Sequence, residues 1–563
     1  MKWWQTGTVY QIYPPSFNDT SGDGIGDLPG ITQKLEYLKL LGVDAVWLTP
    51  IYPSPMVDNG YDIMDYFAVN PIFGTMEDFE ILVKEAHGKD IRVILDMVLN
   101  HTSTQHKWFQ DSISDRNSHY RDYYIWKDGK DGGPPNNWLS KFGGSAWCLD
   151  KASQQYYLHL FAEEQADLNW DNPAVREEVK DVLRFWAAKG VDGFRLDVIN
   201  LISKPTEWDD DQIGDGRRFY TDGPRVHEYL QELHRDVFKP LDLMTAGEMS
   251  STNLQDCIIY SALGGQELSM VFTFHHLKAD YPQGKKWVDA PVDFHELKNT
   301  INYWQTGMSD RGWMALFWGN HDQPRMVSRI NADDTSCREL AAMMLASTIY
   351  FMKGTPYIFQ GEEIGVRSAR YSAIEEYRDV ESLNIFEILV RRGVNPEEII
   401  RILQKKSRDN GRAPMSWTSE GGFSTGDSWI GMLKDCQEVN VDDNLRKPNS
   451  VFRWYQKLIK IRKQFSILVN GRYRDLSPFH CSVFAYLRDS DHNQASIVNI
   501  SNFTKGSVWI SLPEDVVLND AECIMCNYND VSGPSTSYVK LRPYECRVLL
   551  RHPAPGVSRM HTM

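Results

Sequence analysis

Three short blocks place carboxyl groups beside hydrogen-bond donors. In GFRLDVIN, Arg195 and Asp197 are two residues apart. On a strand they share a face, and the cation favours the ionised carboxylate. In TAGEMSS, Glu248 stands just past an apolar run with Gly247 beside it, and in NHDQPR, His321 precedes Asp322. A structural Arg–Asp ion pair would account for the first block alone. Together they offer a carboxylate kept ionised to attack an acetal carbon and a second carboxyl able to protonate the leaving oxygen. Hydrolysis of a glycosidic bond with retention needs that pair.

Such groups must be held by rigid elements. VDAVWLTP from Val43, IRVILDMV from Ile91, GVDGFRLDV, LMTAGE, ALFWGNHD and TPYIFQGEE read as buried strands or strand ends separated by helical stretches. One such helix carries Ile31, Leu35 and Leu38 at i, i+4 and i+7. Strands alternating with helices predict an α/β fold with parallel pairing, a (β/α)8 TIM barrel at this length. Chemistry then sits at the strand ends, which here carry Asp96 to His101, Asp197, Glu248, and His321 with Asp322. Residues 102–171, polar and turn-rich (KDGKDGGPPNNW), are too long for a loop and predict a subdomain inserted after the third strand. The catalytic barrel is therefore assigned to 1–101 and 172–470, with an irregular stretch at about 367–448. Short strands and turns across 471–551 predict a C-terminal antiparallel β-sandwich, and 552–563 a tail.

The 563 residues exceed one compact core. A formal net charge of −16 argues against a nucleic-acid partner, but leaves room for a small anion in a local basic pocket. No apolar run is long enough to span a membrane, the N-terminus lacks signal-peptide features, and eight scattered cysteines suit a reducing compartment; the expected location is cytoplasmic. Cys523 and Cys526 form one CxxC with no second pair and read as ordinary strand residues.

DMVLNH, GFRLDV, GEMS and NHD, in this order and at barrel spacing, resemble the α-amylase superfamily, glycoside hydrolase family 13, over nearly the whole chain. The resemblance implies Asp197 as nucleophile, Glu248 as general acid/base and Asp322 as transition-state stabiliser. It implies that Asp62 (from GYDIMDY), His101, Arg195, His321 and Arg408 line the first glucosyl subsite. SRDNGRAPMSW, which contains Arg408, is similar to the exo-acting oligo-1,6-glucosidase group, so a closed pocket for one glucosyl unit is expected. Val198 after the nucleophile resembles members acting on α-1,6 or other non-1,4 links. In DTSGDGIGD, oxygens of Asp19, Ser21, Asp23 and Asp27 with the Ile25 carbonyl could wrap a hard cation. The family commonly binds calcium here, which would be structural; no cofactor is expected for the chemistry. An Asx-rich turn without metal is the alternative.

Longer blocks, NNWLSKFGGSAW, NLISK, GDGRRFYTDGPRVHEYL, GEMSST and ELSMVFTFHHLKADYP, resemble the branch of the family acting on a phosphorylated disaccharide, trehalose 6-phosphate. Its products would be glucose and glucose 6-phosphate. The basic residues in these blocks, Lys141, Arg217, Arg218, His275, His276 and Lys278, are candidate phosphate donors, as a near-dianion wants several. The rival expectations are an oligo-1,6-glucosidase or sucrose isomerase, and a non-catalytic barrel partner protein, which the complete acidic triad disfavours.

Overall fold

The computed structural model describes residues 1–490, 495–519, 521–529 and 537–551. Eight parallel strands form the core: β1 (Val9–Ile12), β2 (Ala45–Leu48), β3 (Arg92–Val98), β4 (Gly193–Asp197), β5 (Met244–Met249), β6 (Met270–Thr273), β7 (Ala315–Leu316) and β8 (Thr355–Phe359). β1 to β6 pair in sequence order, β8 pairs with β1 and with β7, and a parallel bridge between Val271 and Met314 closes the ring between β6 and β7. The strands are almost wholly buried, with helices outside and side chains such as Val9, Trp47, Ile94 and Phe272 inside. That two-sided burial explains why they read as near-continuous apolar runs.

The expected single helix around Leu35 is two, Leu28–Gln33 and Leu35–Leu41, separated at Lys34. The first is capped by Asp27, whose side chain accepts from Gly30 N. The stretch expected to be irregular also contains helices, Val380–Arg391 and Pro396–Lys406. Their Asp379 and Asn395 side chains cap the N-termini, and Pro396 occupies the first helical position.

After β3 the chain leaves the barrel. His101–Ser103 pairs antiparallel with Gln165–Asp167, and between them lie helix Lys107–Ser114 and a sheet of Trp126–Asp128, Gln155–Leu158 and Trp147–Asp150. This segment overhangs the barrel mouth. The C-terminal strands form a five-stranded antiparallel sheet from Arg472–Asp475 to Cys546–Arg551 and a two-stranded sheet, Val508–Ser511 with Tyr538–Leu541. The expected tail, 552–563, lies outside the described residues. Cys523 and Cys526 lie on a strand of the larger sheet, and all eight cysteines are free. Among the described residues no helix is long and apolar enough to cross a membrane.

Arg488 pins the C-terminal sheet to the barrel. Fully buried, it donates to the carbonyls of Phe351 (2.9 Å), Leu468 (3.1 Å), Ile467 (3.2 Å) and Gly471 (2.7 Å), which lie at helix ends, where carbonyls run short of helical donors. Arg488→Ala removes these side-chain donors and opens a void. We expect a loss of about 3 kcal/mol in denaturant unfolding; a loss under about 1 kcal/mol would mean the sheet is held mainly by apolar contact.

Candidate active site

Strand pairing brings the charged residues together. β3 pairs with β4 so that Asp96 lies opposite Arg195 and Val98 opposite Asp197, while Ala246 of β5 lies on the other side of Arg195. Arg195 Nη1 is 2.7 Å from Asp96 Oδ1 and 2.7 Å from Asp197 Oδ1, and Nη2 bonds the Glu248 carboxylate. Asp96 is completed by Tyr61 OH at 2.8 Å and Trp47 Nε1 at 3.2 Å. Burial pushes the Asp96 carboxyl up to about 6 against the pull of Arg195. Burial also pushes the Asp197 carboxyl up; Arg195 opposes this, and the Glu248 and Asp96 carboxylates reinforce it.

Val198, next to Asp197, has a left-handed backbone with φ +34°. A β-branched residue there is strained, and such strain gathers at functional sites. The turn ends the strand abruptly and leaves Asp197 facing a cavity of about 270 Å³. Asp197, Val198, Glu248, Asp322, His101 and Arg408 all line it.

Opposite the first cluster is a second. Arg408 bonds Asp379 (2.6 Å), Asp58 (2.9 Å) and Asp322 (3.2 Å), and Arg412 bonds Asp322 at 3.0 Å. Burial works against the Asp322 carboxylate, but the His321 ring and the two guanidiniums outweigh it and hold it well below the usual range. The Asp58 carboxyl, buried and beside other acids, is pushed up to about 6 although Arg408 pulls it down.

Four expected ligands are placed otherwise. Asp62 does not line the cavity: its carboxylate accepts from Ser54 Oγ (2.9 Å), Val57 N (2.9 Å) and Asp58 N (3.1 Å). It shapes the loop that presents Asp58, the residue that does reach the cavity. His276 turns inward, with Nε2 2.9 Å from the Phe317 carbonyl. In the 3₁₀ turn His275–Lys278, residues three apart eclipse, so His275 and Lys278 share the cavity side. Arg217 forks onto Asp215, and Arg218 pairs with Asp211 at 2.9 Å; neither lines the cavity. Arg195 and His321 lie just behind the lining. His321 stacks on Tyr61 with ring centroids 5.2 Å apart and binds Gln11 Nε2 at 2.8 Å.

Lys141 and Lys278 line the cavity and, among the described residues, have no ion-pair partner within 4.0 Å. Burial, together with the positive charges of Arg217 and Lys278, pushes the Lys141 ammonium down to about 8. Burial and Arg217 also lower that of Lys278. The inserted segment adds Phe142 and Phe161, and Lys286 pairs with Glu381 at 2.5 Å on the same wall. Sequence reasoning missed Asp58, Tyr61, Phe142, Phe161, Lys286 and Glu381. Asp58 and Tyr61 had a signal, lying in the block VDNGYD that also contains Asp62, and Phe142 follows Lys141 in the block NNWLSKFGGSAW.

The Asp19–Asp27 loop lies away from the cavity. It turns through left-handed Gly22 and Gly24. Asp19 accepts from Ser21, Gly22 and Gly24 N–H and from Ser424 Oγ, and Asp27 from Thr20, Ser21 and Gly30 N–H. The loop's shape is thus fixed by its own donors. Among the described residues, no group of three or more His, Cys, Asp or Glu is arranged to hold a metal ion.

Residues 11–471 match the family described as Alpha amylase, catalytic domain. The chain belongs to the α-amylase family. It is 52% identical over 547 residues to the trehalose-6-phosphate hydrolase of Bacillus subtilis (strain 168), covering 96% of this chain and 97% of that one. It is 45% identical to the oligo-1,6-glucosidase of Halalkalibacterium halodurans over 98% of this chain and 99% of that one. The crystal structure of Bacillus licheniformis trehalose-6-phosphate hydrolase is similar with TM-score 0.93 and 50% identity, over 98% of this chain and 100% of that one. Three carboxyl-bearing residues of the sequence motifs, Asp197, Glu248 and Asp322, line one pocket.

Asp58→Ala removes the carboxylate that Arg408 holds toward the cavity. It should lower kcat/KM for any α-glucoside about a hundredfold, the size of a lost charged hydrogen bond. Asp62→Asn should cost less than tenfold and chiefly lower Tm. Steady-state kinetics giving the reverse order would return Asp62 to the substrate.

Proposed function

We propose that this chain hydrolyses trehalose 6-phosphate to glucose and glucose 6-phosphate with retention of configuration. The observation that carries the phosphate is the pair of ammonium groups, Lys141 and Lys278, which line the pocket and have no ion-pair partner among the described residues, whereas Lys286 and Arg408 in the same wall are paired with carboxylates. A half-buried ammonium without a counter-ion loses part of its hydration with no ion pair to offset it, and a phosphate dianion supplies that charge. An oligo-1,6-glucosidase, whose substrate is neutral, would give these two lysines no work.

In the proposed mechanism, Asp197 attacks the anomeric carbon while Glu248 protonates the glycosidic oxygen, forming a covalent glucosyl-enzyme and releasing glucose 6-phosphate. Glu248, now a base, activates water against that intermediate. Both carboxyls bond one guanidinium, which supports the short separation a retaining pair requires. Asp322 and Asp58, each tied to Arg408, are positioned to accept from hydroxyls of the first glucosyl unit, and His101 forms part of its wall. The free cysteines support a reducing, cytoplasmic setting.

Asp197→Asn and Glu248→Gln should each lower turnover by several orders of magnitude with circular dichroism unchanged. Near-normal turnover in either, with contamination excluded, would sink the assignment.

Lys141→Ala or Lys278→Ala should lower kcat/KM for trehalose 6-phosphate roughly tenfold to a hundredfold, the range for a charged hydrogen bond. Hydrolysis of an aryl α-glucoside should change less than threefold. If neither variant alters the ratio of the two substrates, the phosphate reading fails.

The pH dependence follows from Lys141. Its proton, and with it the attraction for phosphate, is present below about 8 and lost above. kcat/KM for the phosphorylated substrate should therefore fall above about pH 8 along a limb missing for the neutral glucoside. Identical alkaline limbs for both substrates would exclude Lys141 as the titrating group.

A further inference from the structure

A buried lysine outside the cavity lining ties three separate parts of the site together. Lys204, in the loop after β4, donates to Asp167 Oδ2 at 2.7 Å, Asn100 Oδ1 at 2.8 Å and Leu201 O at 2.6 Å. These three acceptors use all three ammonium protons. Its side chain is 4% exposed, and that of Asp167 is fully buried.

Each partner leads toward the cavity. Asp167 Oδ1 accepts from Leu160 N at 2.9 Å, and the Leu160 carbonyl accepts from Lys141 N at 2.8 Å. Lys141 is thus hung from the barrel through Leu160, Asp167 and Lys204. On the other side, Asn100 Nδ2 donates to Asp167 Oδ2 at 2.9 Å and lies 3.2 Å from His101 Nδ1. Leu201 belongs to the turn that follows strained Val198.

The same bridge has an electrostatic consequence. The charged groups that act on Lys141 are Arg217 and Asp215 from the loop after β4, Lys278 from the turn after β6, and Asp167 from the inserted segment. Each of the two carboxylates is held by a cation of its own, Asp215 by Arg217 and Asp167 by Lys204.

We propose that Lys204 is a positioning residue for phosphate recognition: it clamps the inserted segment to the barrel through Asp167 and keeps that carboxylate from neutralising Lys141. The inference rests on reading Lys141 as a phosphate donor. It adds a specificity determinant that touches no substrate.

The test uses the full-length enzyme with trehalose 6-phosphate and p-nitrophenyl α-glucoside across pH. Lys204→Met should raise KM for trehalose 6-phosphate tenfold or more with kcat within threefold, and leave KM for the neutral glucoside within threefold. With Asp167 uncompensated, the alkaline limb for the phosphorylated substrate should move to higher pH. Asp167→Asn leaves Lys204 unpaired near Lys141, so the limb should move to lower pH. These opposite displacements are what a merely structural role would not produce, and either variant suffices where the other fails to fold. Lys204→Arg should restore both KM and the limb. Equal losses on both substrates, or a limb fixed in both variants, overturns the proposal. Lys141→Ala in the same assay tests the underlying reading separately, because that reading fails only if the substrate ratio is unchanged there.

Discussion

Arg195 sits fully buried at the end of the barrel with Asp96, Asp197 and Glu248 all bonded to its guanidinium. Three carboxyls around one cation in a dry site cannot all be ionised cheaply. The surrounding architecture answers that constraint. Parallel pairing of β3, β4 and β5 puts the four groups at adjacent positions, and Tyr61 and Trp47 donate to Asp96 to relieve its share of charge. The strained turn at Val198 frees Asp197 from the strand. One fixed guanidinium holds both cavity-facing carboxyls, Asp197 and Glu248, close to one another.

The rest of the pocket divides by charge. Arg408 and Arg412 collect Asp58, Asp322 and Asp379 into a satisfied network that holds oxygens toward the cavity. Lys141 and Lys278 stand in the same wall without such partners. The first arrangement suits the hydroxyls of a neutral sugar ring; under the proposed function, the second suits a phosphate. The inserted segment supplies Lys141, Phe142 and Phe161, so the part of the chain furthest from the barrel pattern forms much of the pocket wall. Asp167 and Lys204 attach that segment to the barrel.

Much of this was readable from the chain. Apolar runs ending in Asp, Glu or His mark the barrel strands, because only a catalytic or paired group can stand at the end of a buried strand. The i, i+2 spacing of Arg195 and Asp197 dictates their contact through strand geometry alone. The capped helices at 380–391 and 396–406 were overlooked because the turn-like residues flanking them were read as continuous loop. The division of the Leu28–Leu41 stretch at Lys34 left the apolar spacing unchanged and so gave no sign.

Side-chain direction was the part that local pattern could not decide. Asp58 and Asp62 are both acids of one loop, and only the folded loop turns one to the cavity and the other to its own backbone N–H groups. His275 and His276 are adjacent, yet the 3₁₀ turn sends one to the pocket and the other to the Phe317 carbonyl. Arg217 and Arg218 found aspartates two and seven residues away, a pairing that composition does not reveal. The sequence by itself determined the strand-borne chemistry, since backbone periodicity fixes which residues share a face. Which loop charges remain unpaired, and therefore available to a ligand, was settled only by tertiary structure, because pairing depends on what other segments bring within a few ångströms.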